Sequence, residues 1–276
     1  MSDQLTNTGT NSAIIPEIWS QSYYDVLLAE LPFNPIISRQ WEGEIAALGD
    51  RVNISSIPEF DDAGLLPEDA AGQADAVTVL GQQLVINKRA YKDAIINRTA
   101  LLQSLPFVEE LRQKMIYALM KRVQREIIDD SIPAVANQLN WGTGTTADLT
   151  DILDAKTALD NANVPAANRH FVFGPSQMND LFEVNGFVSS DFLLSGAPLQ
   201  TGELATSLLG FQPHMTTEVG DVGYFFHQSY MTMAAQEGMN VTEYNLGGQG
   251  ARAVRVNSDT LFGIRLLDNE RLVTKA

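Results

Sequence analysis

The sequence predicts an α+β fold, and three observations support this prediction. A long amphipathic helical pattern covers residues 104–133, and a strand, a turn and a helix follow one another near Phe171. The last third of the chain, from Gly223, consists mainly of short segments with the character of strands. Helices and strands that occupy different stretches of one chain are typical of α+β domains.

Composition limits the classes of protein that fit. The chain has 276 residues, of which 45% are hydrophobic and 19% charged, so a folded protein of one or two domains is expected. It contains no cysteine, which excludes disulfides, thiolate nucleophiles and thiolate zinc sites. A net charge of −16 repels phosphate and argues against sequence-specific nucleic-acid binding.

Residues 1–15 have neither the basic start nor the apolar core of a signal peptide, and no apolar run could cross a bilayer. We therefore expect a protein that is made and used in the cytoplasm. Residues 1–13 are polar and predict a mobile tail. A helical spacing of apolar residues, from Ile18 to Leu31 with Pro16 in the first turn and Pro32 at the end, predicts a short amphipathic helix within an extended arm.

A long hairpin is predicted next. Apolar and polar residues alternate over residues 51–57, and again over residues 77–79 and 83–87. The tip between them, residues 58–76, is rich in Asp, Glu, Gly and Ala and has few bulky apolar groups. Isolated hairpins are marginal in water, so this one should project and find support elsewhere.

The strongest local pattern predicts a helix of roughly 25 residues, about 37 Å long. Ser104 is the expected N-cap, Pro106 lies in the first turn, and Pro133 ends the pattern. Its apolar stripe consists of Val108, Leu111, Met115, Leu119, Val123 and Ile127. These residues are expected to face a core.

Shorter elements complete the prediction. Residues 141–146 form a loop, Thr150 caps a helix over residues 151–163, and residues 171–173 form a buried strand. Gly174 and Pro175 form a turn, and Ser176 opens a further helix. The strands predicted after Gly223 cover residues 224–226, 230–235, 240–244, 252–257, 260–267 and 271–274.

The sequence contains no pattern typical of an enzyme. His170, His214 and His227 lie in no metal-ligand or catalytic spacing. The glycine groups at residues 142–144 and 247–250 lack the context of phosphate-binding loops. We predict no catalytic residue, no metal site and no cofactor.

One charge pattern suggests an interaction. The hairpin tip is acidic and has no basic residue, whereas the middle of the long helix is basic. The acidic residues include Glu59, Asp61, Asp62, Glu68 and Asp69, and the basic residues include Arg112, Lys121, Arg122 and Arg125. Either these are two solvated faces, or the acidic tip docks on the basic helix of a neighbouring subunit.

The order of these parts resembles the HK97-type fold of tailed-bacteriophage major capsid proteins. Residues 15–20 (IPEIWS), 41–45 (WEGEI) and 49–54 (GDRVNI) look like the junction between arm and hairpin in that family. Residues 159–165 (LDNANVP), followed by Arg169 and a strand, resemble the start of its axial domain. The resemblance covers nearly the whole chain.

This resemblance implies a domain organisation. Residues 1–48 would be the N-terminal arm, 49–87 the extended loop, and 88–146 the peripheral domain with its long spine helix. Residues 147–231 would be the axial domain, 232–267 the strands that return to the peripheral domain, and 268–276 a terminal strand.

It also implies a function as a shell protein. Copies of the chain would form the hexamers and pentamers of an icosahedral virion head, assembled in the host cytoplasm and enclosing double-stranded DNA without sequence-specific binding. A scaffolding protein, a portal and a decoration protein are the further partners implied, and no membrane is involved. The tip contains no lysine, so the Lys–Asn isopeptide crosslink of some family members is not expected. The arm begins almost at Met1, which favours a separate scaffolding protein or a trimmed chain.

Two alternatives remain open at this point. An encapsulin-like nanocompartment shell would have the same fold. An acidic α+β enzyme could instead assemble a site from scattered residues around His170 or His227.

Overall fold

The computed structural model describes residues 31–45, 50–58, 76–97, 107–142, 144, 146–184, 207–246 and 253–276. The helices are α1 Phe33–Ile36, α2 Glu42–Ile45, α3 Phe107–Asp129, α4 Leu149–Asn161 and α5 Pro175–Asp180. The strands are β1 Arg51–Ser56, β2 Leu80–Val85, β3 Lys88–Asn97, β4 Gln138–Leu139, β5 Arg169–Phe173, β6 Phe211–Met215, β7 Gly223–His227, β8 Met231–Leu246, β9 Ala253–Leu266 and β10 Leu272–Lys275. The mixture of helices and sheets confirms the predicted α+β class.

The predicted hairpin is present. Strands β1 and β2 pair antiparallel, from Arg51 opposite Val85 to Ser56 opposite Leu80. The second strand was predicted to include residues 77–79, but the pairing begins only at Leu80. Val77 and Val79 precede it as exposed, unpaired residues. Most of the acidic tip, residues 59–75, lies outside the described residues.

The long helix is confirmed as α3, which has 23 residues. Its buried side chains Met115, Leu119, Val123 and Ile127 recur every four residues, as the apolar stripe predicts. This face packs on a three-stranded antiparallel sheet in the order β3-β9-β8. The expected N-cap Ser104 lies outside the described residues. The helix predicted over residues 16–31 also lies outside them, apart from Leu31, which is not helical.

Strand β3 was not predicted. It pairs with β9 along its full length, from Lys88 opposite Phe262 to residue 97 opposite residue 253. Its apolar residues do not alternate cleanly in burial, because Ala90 and Ile96 are buried whereas Tyr91 and Ile95 are exposed. The exposed aromatic and aliphatic residues hide the period-2 pattern that identifies a half-buried strand.

The second large sheet has five strands in the order β4-β10-β7-β5-β6. The outer pairs β4–β10 and β5–β6 are parallel, and the inner pairs are antiparallel. Phe171 and Phe173 of β5 face a core with α4 and α5, whereas Val172 faces the core that contains α1 and α3. Burial on both faces explains why β5 appears in the sequence as an uninterrupted apolar run.

Helix α4 begins differently from the prediction. The N-cap is Asp148, not Thr150, which is the second residue of the helix. The backbone N–H of Asp151 donates to Asp148 Oδ1 over 3.0 Å, and the N–H of Asp148 donates to Asp151 Oδ2 over 3.1 Å. This reciprocal capping box satisfies two helix-end donors, which a lone threonine cap could not do.

Strands β8 and β9 are longer than predicted, because each joins two predicted strands. The β8–β9 pairing has register irregularities between Ala235 and Asn240, so the gap predicted there is a bulge within one strand. Strand β6 was missed because Pro213 lies in it. Proline is tolerated there because β6 is at the edge of its sheet.

Candidate interaction surfaces

The base of the hairpin is anchored on the chain's own three-stranded sheet. Val52 and Leu84 are buried together with Ile86, which directly follows the hairpin, and Ala234 of β8. The side chain of Gln82 adds a hydrogen bond from its Nε2 to the carbonyl oxygen of Leu267, 2.8 Å away. Part of the support that the hairpin was expected to need therefore comes from its own chain.

Gly263 of β9 allows this close approach. A Cβ atom at that position would lie 2.3 Å from the carbonyl oxygen of Val85, which is too short for any real contact. Only glycine lets the backbone at the end of β2 cross directly over β9. This crossing helps set the direction in which the hairpin leaves the sheet.

Beyond its anchored base, the hairpin is apolar and exposed. Ile57, Val77, Val79 and Leu80 are each between 53% and 60% exposed, and they lie at or just beyond the end of the paired strands, toward the tip. Several exposed β-branched and aliphatic residues close together in the sequence are a candidate for a surface that contacts another protein. The sequence predicted that the hairpin would project, but it did not identify these residues as a contact surface.

The predicted basic residues of α3 all have acidic partners within the chain. Arg112 pairs with Glu243 at 2.7 Å, and Arg122 pairs with Glu126 one turn along the helix. The predicted acidic partners in the tip, Glu59, Asp61, Asp62, Glu68 and Asp69, lie outside the described residues. Docking between the two groups therefore stays a prediction.

Glu218 holds two of these basic residues. Lys121 and Arg125 lie 2.7 and 2.8 Å from its carboxylate oxygens, and only 9% of its side chain is exposed. Burial alone would raise the pKa of Glu218, but the hydrogen bonds from Lys121 and Arg125 outweigh it and lower that pKa. Glu218 follows β6, so this cluster fastens the long helix to the five-stranded sheet.

The face of the three-stranded sheet that points away from α3 combines ion pairs with apolar side chains. Arg89 of β3 pairs with Asp259 of β9, and Arg255 of β9 pairs with Asp93 of β3. Around these pairs, Tyr91, Ile95 and Tyr244 are exposed by 70%, 69% and 56%. Sequence reasoning missed this face because it missed β3.

The structure brings together two histidines that the sequence separates by 43 residues. His170 Nδ1 lies 3.2 Å from His214 Nε2, and the His170 ring also stacks on Phe226. Burial and, to a smaller extent, the charges of His214 and His227 together lower the pKa of His170 to about 4. His170 is therefore neutral and packed among aromatic rings, and the described residues place no carboxylate in hydrogen-bond contact with it.

The third histidine, His227, has a local role. Its Nδ1 accepts a hydrogen bond from the backbone N–H of Ser229 at 3.2 Å and caps a short 3₁₀ turn. Within the described ranges, no group of three or more His, Asp or Glu side chains could hold a metal ion. None of the helices described combines the length and apolar character that a bilayer crossing requires.

Solved structures similar to this chain come from bacteriophages, including a cyanophage. A chain from Mycobacterium phage Che8 matches with a TM-score of 0.75 and 23% identity, over 95% of this chain and 96% of that chain. The capsid structure of the cyanophage P-SCSP1u matches with a TM-score of 0.73 and 12% identity, over 98% and 95%. The mature capsid of bacteriophage PhiM1 matches with a TM-score of 0.65 and 11% identity, over 99% and 96%.

No protein-family model and no curated protein sequence matches the chain. At these low identities the structural similarity shows the fold. The chain has the mixed helix and sheet fold of phage capsid structures, over nearly its whole length.

Proposed function

We propose that the chain is the major capsid protein of a tailed bacteriophage, and that many copies form the hexamers and pentamers of an icosahedral head. The observation that carries this proposal is the similarity to phage capsid structures, which extends over 95% to 99% of the chain. In each comparison the alignment covers nearly all of this chain and nearly all of the phage chain, so the similarity is not confined to one shared domain.

The surfaces of the described residues support an assembling protein. Four exposed apolar residues lie at or just beyond the end of the paired hairpin strands, where a two-stranded element has no core of its own to cover them. The outer face of the three-stranded sheet exposes Tyr91, Ile95 and Tyr244 among ion pairs. Aromatic and aliphatic residues mixed with charges are typical of contact surfaces between proteins.

The domain organisation proposed is that of the HK97-type fold, with arm 1–48, extended loop 49–87, peripheral domain 88–146, axial domain 147–231, return strands 232–267 and terminal strand 268–276. The pairing of β8 and β9 with β3 supports a return to the peripheral part. The position of β10 between β7 and β4 supports a terminal strand that rejoins the axial sheet.

A structural and not a catalytic role follows from the proposal. The histidine pair that the fold creates, His170 with His214, is built into an aromatic core. Copies of the chain itself are the principal partners, with a separate scaffolding protein, a portal and a decoration protein as further ones. The head would enclose double-stranded DNA, whose phosphates the net charge of −16 repels, and it would be assembled in the host cytoplasm.

The proposal is tested by expressing the chain alone and together with the scaffolding protein encoded beside its gene. Electron microscopy should reveal closed shells tens of nanometres across, built from hexamers and pentamers. A chain that remains a monomer or a small uniform oligomer under both conditions would contradict the proposal. Shells that enclose an enzyme cargo instead of DNA would favour the encapsulin-like alternative.

A further inference from the structure

The short segment that follows α3 has an inverted pattern of burial. Ser131 and Asn137 are polar, yet each is only 7% exposed, whereas Ile132 is 61% exposed and Val135 is 85% exposed. Val135 is the most exposed large hydrophobic residue in the described part of the chain. A buried polar side chain and an exposed large apolar one are the two informative departures from ordinary burial, and both occur here within seven residues.

Hydrogen bonds anchor the polar side chains of this segment in the fold. The hydroxyl of Ser131 donates to the carbonyl oxygen of Ile127 over 2.6 Å and lies 3.1 Å from the hydroxyl of Tyr230. Asn137 Nδ2 donates to the carbonyl oxygen of Glu270 over 3.0 Å. Because both ends of the segment are held in this way, its exposed apolar side chains are presented on ordered backbone, and a partner that covers them loses little entropy in ordering it.

Two other elements lie beside the segment. The backbone N–H of Ala134 donates to the carbonyl oxygen of Asn269, 2.9 Å away, which begins a 3₁₀ turn. The 3₁₀ turn Val135–Asn137 contacts helix α4, on which Leu153 is 40% exposed. We refer to residues 131–137, 149–154 and 269–271 together as the ledge.

The charges at the ledge are acidic. Asp129, at the end of α3, and Glu270, in the 3₁₀ turn, are both exposed, and neither forms an ion pair with a described residue. Asp154 on α4 lies 3.2 Å from Lys275 Nζ, but 64% of its side chain remains exposed. The exposed apolar residues are therefore accompanied by carboxylates that have little or no compensation within the chain.

The basic residues of the same elements do not balance these carboxylates. Arg271 lies 2.8 Å from Asp268, and Lys156 lies 2.7 Å from Asp160, so both cations are already paired. Apolar side chains accompanied by free carboxylates complement a partner whose apolar residues are flanked by Lys or Arg. A second copy of the chain, with 34 acidic and 18 basic residues, is a poorer electrostatic match.

We propose that the ledge docks a basic amphipathic segment of a protein other than this chain. Apolar side chains of that segment would cover Ile132, Val135 and Leu153, and its Lys or Arg side chains would lie beside Asp129 and Glu270. The inference rests on the proposed function, because that function includes assembly with a separate scaffolding protein. It gives such a protein a docking surface apart from the hairpin and the outer sheet face.

Photocrosslinking tests which molecule contacts the ledge, with the scaffolding protein encoded beside the gene as the probe. A chain with p-benzoylphenylalanine in place of Val135 is coexpressed with that protein and irradiated. We expect an adduct of the two proteins, and mass spectrometry should locate it in a segment whose apolar residues are flanked by Lys or Arg. The matched control has the same photoreactive residue in place of Tyr91, which is 70% exposed on the outer sheet face, and should give no such adduct.

An adduct only between two copies of the chain, no adduct at all, or equal adducts from the two positions would overturn the inference. The first of these outcomes would identify the ledge as a contact between copies.

Binding of the purified scaffolding protein to the unassembled chain provides a second test. Val135→Asp, and the double variant Asp129→Lys with Glu270→Lys, should each weaken binding about tenfold at low salt, measured by biolayer interferometry. Glu183→Lys reverses an exposed carboxylate after α5, outside the ledge, and should leave the affinity within about twofold. The replaced side chains are exposed, so thermal unfolding of the variants should match that of the unmodified chain.

Unchanged affinity in both ledge variants would overturn the inference. If shells form but the ledge neither crosslinks to the scaffolding protein nor affects its binding, the proposed function stands without this contact. If the unmodified chain forms no shells, alone or with the scaffolding protein, the proposed function itself fails.

Discussion

The five-stranded sheet and the hairpin with its three-stranded sheet differ in how far the chain buries their apolar residues. Every residue of β5 is buried, and the sheet has apolar cores on both faces. In the other region, Tyr91 and Ile95 of β3 and Ile57 beyond the hairpin base are each at least 60% exposed. The first region covers most of its apolar residues within one chain, whereas the second leaves large apolar residues exposed.

This difference teaches that the apolar residues that the chain buries and those that it leaves exposed are concentrated in separate regions of the described structure. Apolar area removed from water contributes about 25 cal/mol per Å² wherever it is buried. In the five-stranded sheet that contribution stabilises the isolated chain. In the hairpin and the outer sheet face it is available for contacts between chains.

The largest expected effect on stability is at the centre of the five-stranded sheet. Phe225 is fully buried, and its ring lies 5.2 to 5.9 Å from the rings of Phe171, Phe173 and Phe211. Phe225→Ala should lower the free energy of unfolding of the unassembled chain by about 4 kcal/mol. Tyr91→Ala, at an exposed aromatic position, should change it by less than about 0.5 kcal/mol. If urea unfolding gave equal losses of unfolding free energy for Phe225→Ala and Tyr91→Ala, the proposed difference between the two regions would be wrong.

The next largest effect on folding stability is expected at a buried ion pair. Lys275 Nζ lies 2.9 Å from Asp151 Oδ1, and both side chains are at most 2% exposed. Lys275→Met would leave a buried carboxylate without its cation and should destabilise the chain by about 3 kcal/mol. The double variant Lys275→Met with Asp151→Asn should recover part of this loss. Failure of the second change to recover any stability would mean that the charge pair is not the cause.

The histidine pair predicts a dependence of stability on pH. The pKa of His170 is about 4 in the folded chain, below the 6.5 of an unperturbed histidine. Between these values the unfolded chain binds a proton that the folded chain does not, so stability should fall as pH drops from 6.5 to 4. The loss attributable to His170 should be about 3 kcal/mol by pH 4. It should be absent in His170→Phe, measured by urea unfolding at each pH.

In the hairpin the effect should appear in assembly and not in folding. Val79 is 58% exposed beside the tip, so Val79→Ser should leave the unfolding free energy within about 0.5 kcal/mol. If the residue is buried between copies, the loss of apolar contact should raise the critical concentration for assembly about tenfold per subunit contact. Light scattering measures that concentration. A loss of folding stability with unchanged assembly would contradict the division between the regions.

The smallest expected effect is a change in assembly when the charge of the acidic tip is reversed. Replacing Asp61 and Asp62 with Lys should weaken assembly at low salt if the tip docks on the basic residues of α3. The effect should shrink in high salt, because exposed charge pairs are screened. Arg122 and Arg125 remain more than half exposed despite their partners within the chain, so they are available for such a contact. Unchanged assembly of the reversed variant at low salt would refute the docking hypothesis.

Several elements could be predicted because their signals are local. The apolar stripe of α3 repeats every turn, and the run around Phe171 is continuous, so each shows its burial pattern within a few residues. The hairpin was predictable from two alternating stretches on either side of a polar tip. The failures have local causes as well: Pro213 obscured β6, and Thr150 was mistaken for the cap that Asp148 provides.

For the candidate surfaces, the sequence identified the basic residues of α3 but not their partners. Glu218 and Glu243 are close to them only because the turn after β6 and strand β8 come next to the helix in the folded chain. The exposed side chains of β3 and the histidine pair likewise depend on residues far apart in the chain.

By itself, the sequence determined the mixed class of the fold, the long helix, the hairpin and the lack of a recognisable catalytic pattern. These features follow from the composition of the chain and from periodic patterns that are complete within short stretches of sequence. Only the tertiary structure decided which apolar residues are covered by the chain itself and which remain exposed. The reason is that burial depends on strand pairing between distant segments, such as β3 with β9, and no local pattern records that pairing.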